Sequence, residues 1–354
     1  MKIVIDAREL RTSTGRYMER LLHYLQELDQ RNEFIVLLKP QDFKGWEPTN
    51  PRFKKVVSPY REFSFEEQLG FARQLYSLKA DLVHFGMTHQ PVLYFKRSVT
   101  TIHDLTTIRF RNPAKNPVIF KIKQWVYRLV ILWVVHKSKR ILTISEYVKQ
   151  DVAGFARVNS RKIAVTYEAA DKIEAAPEPR KDLAGKKFLL YVGRPTPHKN
   201  LKRLIKSFAI LKLDYPDLLL VLAGRTDANY ARLQLFAEKK GLHGSVVFTG
   251  YVSDGALKWL YQNAQTYVFP SLSEGFGLPG LEAMQYKLPV VSSNATCLPE
   301  IYKDAALYFD PRDSKDIAAK IRRVLEEPKL ADELADKGSQ LLNKYSWEQM
   351  AQQT

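Results

Sequence analysis

The chain alternates short, continuously apolar runs with longer stretches whose apolar residues recur every three or four positions. Residues 2–5, 34–38, 82–85, 99–102, 140–144 and 163–166 read as strands. Between them, 14–28 carries Tyr17, Leu21, Leu25 and Leu28 on one helical stripe, and 65–78 and 146–155 are also helical in period. A stretch rich in Ala, Pro and charge follows. The same rhythm then restarts, with strands at 188–192, 218–222, 246–248, 266–269 and 289–291. Helices are expected at 201–213, 228–240, 253–263 and 314–325, with a charged helical C-terminus. Continuous apolar strands alternating with helices predict parallel sheets covered on both faces. The expected fold class is therefore α/β, with two doubly wound Rossmann-like domains whose strand ends face each other across a cleft. The expected boundaries are an N-terminal domain over 1–170, a linker over 171–187, a C-terminal domain over 188–340, and a terminal helix over 341–354 that can cross back.

A chain of 354 residues is long enough for two cores. The single cysteine, Cys297, excludes an internal disulfide and fits a reducing compartment. The opening Met1-Lys-Ile-Val-Ile-Asp6 meets charge too early for a signal peptide, and no apolar run is long enough to span a bilayer. The net charge of +17 is uneven. Residues 1–170 hold 29 Lys and Arg against 16 Asp and Glu, whereas the remainder holds 26 against 22. Between Lys96 and Arg140 there are 11 basic residues and one acid, Asp104. Such a field attracts a polyanion: an anionic membrane face, a phospholipid or a nucleic acid.

The richest chemistry lies in Ser271-Leu-Ser-Glu-Gly-Phe-Gly-Leu-Pro-Gly-Leu-Glu-Ala-Met284. Glu274 and Glu282 stand eight positions apart around a glycine-rich turn, which joins an apolar strand to a helical pattern. Free turn amides at a helix start hold anions, and carboxylates beside them suit sugar hydroxyls. The combination points to a nucleotide sugar. A plain structural turn with two solvated glutamates is the bland alternative, and three further features weigh against it. Gly193-Arg-Pro-Thr-Pro-His-Lys-Asn200 follows the first strand of the second half, placing Arg194 and Lys199 where they can neutralise a diphosphate. Gly15, before the first helix, lets backbone approach a phosphate. His103, in Thr101-Ile-His-Asp-Leu105, ends a strand of the first half.

Together these motifs resemble the GT-B glycosyltransferases of family GT4, the retaining type (glycosyltransferase group 1), over nearly the whole chain. Thr14-Gly-Arg-Tyr17, Ile102-His-Asp-Leu105, Leu142-Thr-Ile-Ser-Glu146, Tyr191-Val-Gly-Arg-Pro195 with Lys199-Asn200, and Glu274-Gly-Phe-Gly-Leu-Pro279 with Glu282 carry the likeness. The resemblance implies that Arg194 and Lys199 bind the donor diphosphate and that Gly15 approaches the same phosphates. It implies that Glu274 holds a donor sugar hydroxyl, that the backbone of Phe276, Gly277 and Leu278 touches sugar and phosphate, and that Glu282 takes the ribose. His103 would lie near the sugar O6. The implied reaction is metal-independent, in keeping with the absence of Asp-x-Asp, and needs no cofactor besides the donor. The family's common Gly-Gly turn is here Thr14-Gly15.

The acceptor is expected on the basic first half. There Val118–Val135 is apolar and tryptophan-bearing, with Lys115, Lys121, Lys123, Trp125 and Arg128 as candidates for contact with an anionic membrane or a lipid acceptor. The C-terminal part of that helix is expected in the core and its basic N-terminal part near lipid. The resulting expectation is a cytoplasmic enzyme, peripheral on the inner membrane face, that moves a hexose from UDP-hexose or GDP-mannose to a glycolipid or cell-envelope glycan. A nucleotide-sugar epimerase or hydrolase is the alternative. A nucleic-acid-binding protein is less favoured, because no row of exposed aromatics or recognised module supports it.

Overall fold

The computed structural model describes residues 1–10, 15–110 and 117–354, and for 117–119 the backbone only. Two compact units result. Unit 1 comprises Met1–Ile108, Lys121–Glu168 and Ser346–Thr354; unit 2 comprises Arg109–Phe120 and Ala169–Tyr345.

In unit 1 the strands are β1 (Lys2–Asp6), β2 (Glu33–Leu38), β3 (Phe53–Val57), β4 (Leu82–Phe85), β5 (Ser98–Ile102), β6 (Arg140–Thr143) and β7 (Ile163–Val165). All pair in parallel, in the order β3-β2-β1-β4-β5-β6-β7. Ile5 sits opposite Val36 on one side and His84 on the other. The helices are α1 (Gly15–Leu28), α2 (Pro40–Phe43), α3 (Ala72–Ser77, continuing a π-helical turn Glu67–Phe71), α4 (Thr106–Arg109), α5 (Pro117–Lys137) and α6 (Glu146–Ala156). Ser145 caps α6 by accepting the Val148 N–H at 3.2 Å. On α1 the buried residues are Gly15, Tyr17, Met18, Leu21, Leu22 and Gln26, while Leu28 is exposed. The face turned inward is thus rotated from the expected stripe toward Met18, Leu22 and Gln26, and Leu28 at the end stays outside.

In unit 2, β8 (Phe188–Val192), β9 (Leu219–Ala223), β10 (Val246–Gly250), β11 (Thr266–Phe269), β12 (Val290–Ser293) and β13 (Ala306–Phe309) form a parallel sheet in the order β10-β9-β8-β11-β12-β13. The helices are α7 (Leu201–Leu211), α8 (Ala228–Glu238), α9 (Asp254–Asn263), α10 (Leu278–Met284), α11 (Leu298–Tyr302), α12 (Ser314–Glu326) and α13 (Pro328–Leu342). The stretch 171–187, read from composition as a linker, lies along this unit. Lys258 Nζ donates to the carbonyls of Ile173 and Ala175, the Glu178 N–H donates to Gly255 O, and Leu183 is buried. The last helix, α14 (Trp347–Gln353), packs on α1 of unit 1 and buries Trp347 and Met350.

One charged group in unit 1 is almost fully enclosed. Arg8, just past β1, donates from Nε and Nη2 to Asp6 at 2.8 Å, and from Nη2 to Glu67 at 3.0 Å; its Nη1 reaches Tyr60 O. Burial alone would lower its pKa, but the two carboxylates outweigh burial and hold it above the ordinary guanidinium value. Removing one member of such a buried set strands the others without compensation. Arg8→Met is therefore expected to lower stability by about 3–5 kcal/mol. Urea unfolding followed by far-UV dichroism reads this, and an unchanged midpoint would refute it.

Candidate active site

In unit 2 the site builds from the β8–α7 loop. Gly193 has a φ of 148° and donates to Ala223 O at 2.8 Å, which turns the chain sharply out of β8. Arg194 follows, exposed. Lys199 ends a short 3-10 turn, and Asn200 then adopts a left-handed φ of 61° to open α7. The buried Asn200 amide donates to Pro270 O at 3.0 Å and to Pro311 O at 2.7 Å. That pins the loop to the ends of β11 and β13. The Leu272 N–H adds a bond to His198 O.

So held, Lys199 Nζ meets both oxygens of Glu274, at 2.7 and 2.9 Å. It also lies 5.5 Å from the centre of the Phe269 ring. Glu274 is fixed from its own backbone: its N–H donates to Thr296 Oγ1 and its carbonyl accepts from Cys297 Sγ. Cys297 is fully buried, and burial first, then Glu274, drive its thiol pKa well above the ordinary range. It is a packed side chain with no reactive character.

The glycine-rich turn is shaped by Tyr302. Its hydroxyl donates to Gly277 O, and a Cβ on Gly277 would stand 2.5 Å from that hydroxyl and 2.7 Å from Leu298. Gly277 also has a φ of 101°. Phe276 is buried against Tyr345, so only its backbone faces the turn. Leu278 begins α10. Glu282, on that helix, is buried, and its Oε2 accepts the Tyr261 hydroxyl at 2.9 Å. Tyr261 itself stacks on Tyr286. Unit 2 thus brings Lys199 and Glu274 into contact and gives Glu282 a tyrosine partner.

In unit 1, His103 follows β5. Its Nε2 lies 3.1 Å from Gly86 O, an atom that only accepts, so Nε2 carries a proton. Its Nδ1 lies 3.5 Å from Glu168 Oε1, and its ring packs edge-on against Tyr17 at 4.9 Å. Both ring nitrogens therefore face partners within unit 1. Gly15 is demanded by its own loop, because a Cβ there would run into the backbone of Leu10 and stand 2.8 Å from Glu9 O. Residues 12–14 of its motif lie outside the described residues.

Along α5 the C-terminal part enters the core as expected, apart from the exposed Trp133 and His136. Ile131, Val134 and Val135 are buried, whereas Ile122, Trp125, Val126, Leu129 and Trp133 are exposed on one stripe, beside exposed Lys121, Lys123 and Arg128. Lys115 lies outside the described residues. No helix among those described is long and apolar enough to cross a membrane, and no group of three His, Cys, Asp or Glu among them is placed to hold a metal.

The carboxyl edge of the unit 1 sheet holds a second charged cluster that the sequence did not announce. Lys39, just after β2, bridges Glu9 at 3.2 Å and Glu62 at 2.6 Å. Glu9 is pushed up from an ordinary 4.5 to about 7 by burial and then by Glu62, with Lys39 opposing. For Glu62, burial also pushes upward, but hydrogen bonds from Glu9 and Lys39 outweigh it and hold the pKa low. The pair keeps one proton, on Glu9, to near neutrality.

Comparison with known proteins identifies the class. The model for Glycosyltransferase Family 4 matches residues 14–172, and the model for Glycosyl transferases group 1 matches residues 172–341. O-antigen chain mannosyltransferase B of Escherichia coli is 31% identical over 296 residues, covering 80% of this chain and 76% of that protein. O-antigen chain mannosyltransferase RfbU of Salmonella typhimurium is 31% identical over 253 residues, covering 70% and 68%. Among solved structures, sucrose-phosphate synthase from Thermosynechococcus elongatus superposes with a TM-score of 0.77 at 18% identity, over 100% of this chain and 97% of that one. The two parallel-sheet units are those of the GT-B class. The chain belongs to the group 1, family 4 glycosyltransferases and is a glycosyltransferase.

Two outcomes follow. Gly277→Ala must adopt a left-handed backbone against Tyr302, and is expected to cost about 1–3 kcal/mol; a melting temperature equal to the parent's would refute this. The second concerns pH. Native Glu9 keeps its proton up to about pH 7, whereas the unfolded chain loses it near the ordinary value. The native state therefore binds more protons across that window, and stability falls as pH rises through it. Glu9→Gln keeps a hydrogen-bonding group that does not titrate, so denaturant midpoints measured across the window should show that decline removed. A slope equal to the parent's would count against the shared proton.

Proposed function

We propose that this chain transfers a hexose from a nucleotide diphosphate sugar to a cell-envelope glycan or glycolipid, with retention at the anomeric carbon and without a metal ion. The observation that carries the reading is the Lys199–Glu274 pair beside the Gly275–Leu278 turn, with Arg194 exposed on the same loop. A lysine clamped on a glutamate gives a cation and a hydroxyl acceptor at fixed positions before any ligand arrives. Such preorganisation lowers a barrier by meeting charge where it develops. The bond between sugar C1 and the phosphate oxygen breaks, and negative charge grows on the diphosphate facing Lys199 and Arg194. The acceptor hydroxyl forms the new bond to C1 on the same face. Its proton passes to an oxygen of the departing β-phosphate, so no protein base is required. Glu274 orients a sugar hydroxyl and Glu282, held by Tyr261, takes the ribose. Gly15 and His103 keep the roles implied by the family resemblance.

The relatives' names support mannose as the sugar and an O-antigen-type glycan as the acceptor class. Action at the cytoplasmic membrane face is supported by α5. Trp125 is 63% exposed within an apolar stripe flanked by Lys121, Lys123 and Arg128. Interfacial tryptophan with basic neighbours suits an anionic bilayer surface.

A donor panel tests the reading. Release of nucleotide from GDP-mannose, UDP-glucose, UDP-galactose and UDP-N-acetylglucosamine would be followed in EDTA, with and without anionic glycolipid vesicles. Turnover is expected with GDP-mannose, to persist in EDTA and to rise with vesicles. Lys199→Ala and Arg194→Ala are each expected to lower kcat about 10²–10³-fold with little change in unfolding midpoint. Full activity in either variant would sink the assignment. Vesicle flotation of Trp125→Ser with Leu129→Ser should fall below that of the parent at low salt; equal flotation would remove the membrane part.

A further inference from the structure

The sheet of unit 1 reverses direction at one place. The chain runs from β1 outward to β2 and β3, then returns to β4 on the opposite side of β1. Open parallel sheets take ligands at the carboxyl edge of such a switch point. Here that edge carries Arg8 and Glu9 after β1, Lys39 after β2 and His89 after β4. The 60–67 loop, which follows β3, completes the group.

That loop reads Tyr60-Arg-Glu-Phe-Ser-Phe-Glu-Glu67, with three aromatic rings among three carboxylates. Residues 61–66 line a cavity of about 420 Å³. Phe63 is 67% exposed and has a φ of 57°. A bulky residue in the left-handed region is a true outlier and persists only where its surroundings over-determine it. They do so here. The Phe63 N–H donates to Glu67 Oε2 at 3.0 Å, Glu67 is gripped by Arg8, and Arg8 also holds Tyr60 O. The Phe63 ring packs edge-on against His89 at 3.8 Å and Tyr127 at 5.5 Å. His89 stacks flat on Tyr127, whose hydroxyl is tied to Thr88. His89 Nδ1 is buried with no hydrogen-bond partner among the described residues. Burial holds the His89 imidazole neutral, with a pKa lowered to about 4.

A pyranose offers one apolar face of C–H groups and a rim of hydroxyls. A site for it needs an exposed aromatic face beside fixed hydrogen-bonding groups. We propose that the 60–67 loop is the subsite for one pyranose ring of the acceptor, with the Phe63 ring as its platform and Glu62, held in place by Lys39 and Glu9, addressing its hydroxyls. The inference rests on the proposed function only in taking the acceptor to be a saccharide.

The test uses the full chain without donor. Methyl α-D-mannopyranoside is the probe, read by saturation-transfer NMR. Transfer to the ring C–H protons is expected in the parent. Phe63→Gly removes the platform, and glycine adopts this backbone without strain, so folding is retained. Its transfer should fall at least about fivefold. Three results overturn the proposal: no transfer in the parent, undiminished transfer in Phe63→Gly, or a Phe63→Gly loss confined to flotation with anionic vesicles. The last would assign the loop to a membrane surface. The binding test needs no donor, so saccharide binding here together with no nucleotide release from any donor of the panel would count against the proposed reaction and leave the subsite standing.

Discussion

A parallel sheet covered on both faces leaves its polar chemistry one place to go. Its inner strands are buried above and below, so Val, Ile, Leu and Phe dominate them, and most charged residues come where the strands begin or stop. Because every strand points the same way, those at the stops gather along one edge. In unit 1 that edge collects Asp6, Arg8, Lys39, His89, His103 and Glu168. In unit 2 it collects Arg194, Lys199 and Glu274. Everything inferred about reactivity follows from that crowding.

Crowded charges need partners, and the partners set the roles. Lys199 is clamped on Glu274, Arg8 is enclosed by Asp6 and Glu67, and Lys39 sits between two glutamates that share a proton. The first pair keeps some exposure, 18% of the Lys199 side chain and 12% of that of Glu274. The Arg8 set is sealed and serves as a strut that holds Tyr60 and, through Glu67, Phe63. Similar charges thus differ in duty by their burial.

Much of the constellation proposed for the donor was legible in the chain. Gly193-Arg194 with Lys199, and Glu274 with the turn to Glu282, announce themselves because chain neighbours follow one another around a strand end. Less legible was β3, Phe53-Lys-Lys-Val-Val57, because an edge strand carries charge where an inner strand carries valine. Glu168, Tyr261 and Tyr302 were invisible as site residues. Each acts on a residue 21 to 65 positions away, through contacts with His103, Glu282 and Gly277 respectively. No local pattern marks such pairs. Gly15 shows the reverse case: a glycine read as ligand-facing is already required by its own backbone packing.

The sequence by itself determined the class of the molecule: two α/β units built of parallel strands alternating with helices, and the short motifs on which the proposed site rests. These follow from periodicity and from short motifs, which are properties of neighbours along the chain. Only the tertiary structure decided which charges meet. Lys199 finds Glu274 across 75 positions, Arg8 finds Glu67 across 59, and Phe63 finds His89 across the switch point of its sheet. Strand pairing sets those meetings, and pairing depends on the burial of whole strands, which no single segment encodes.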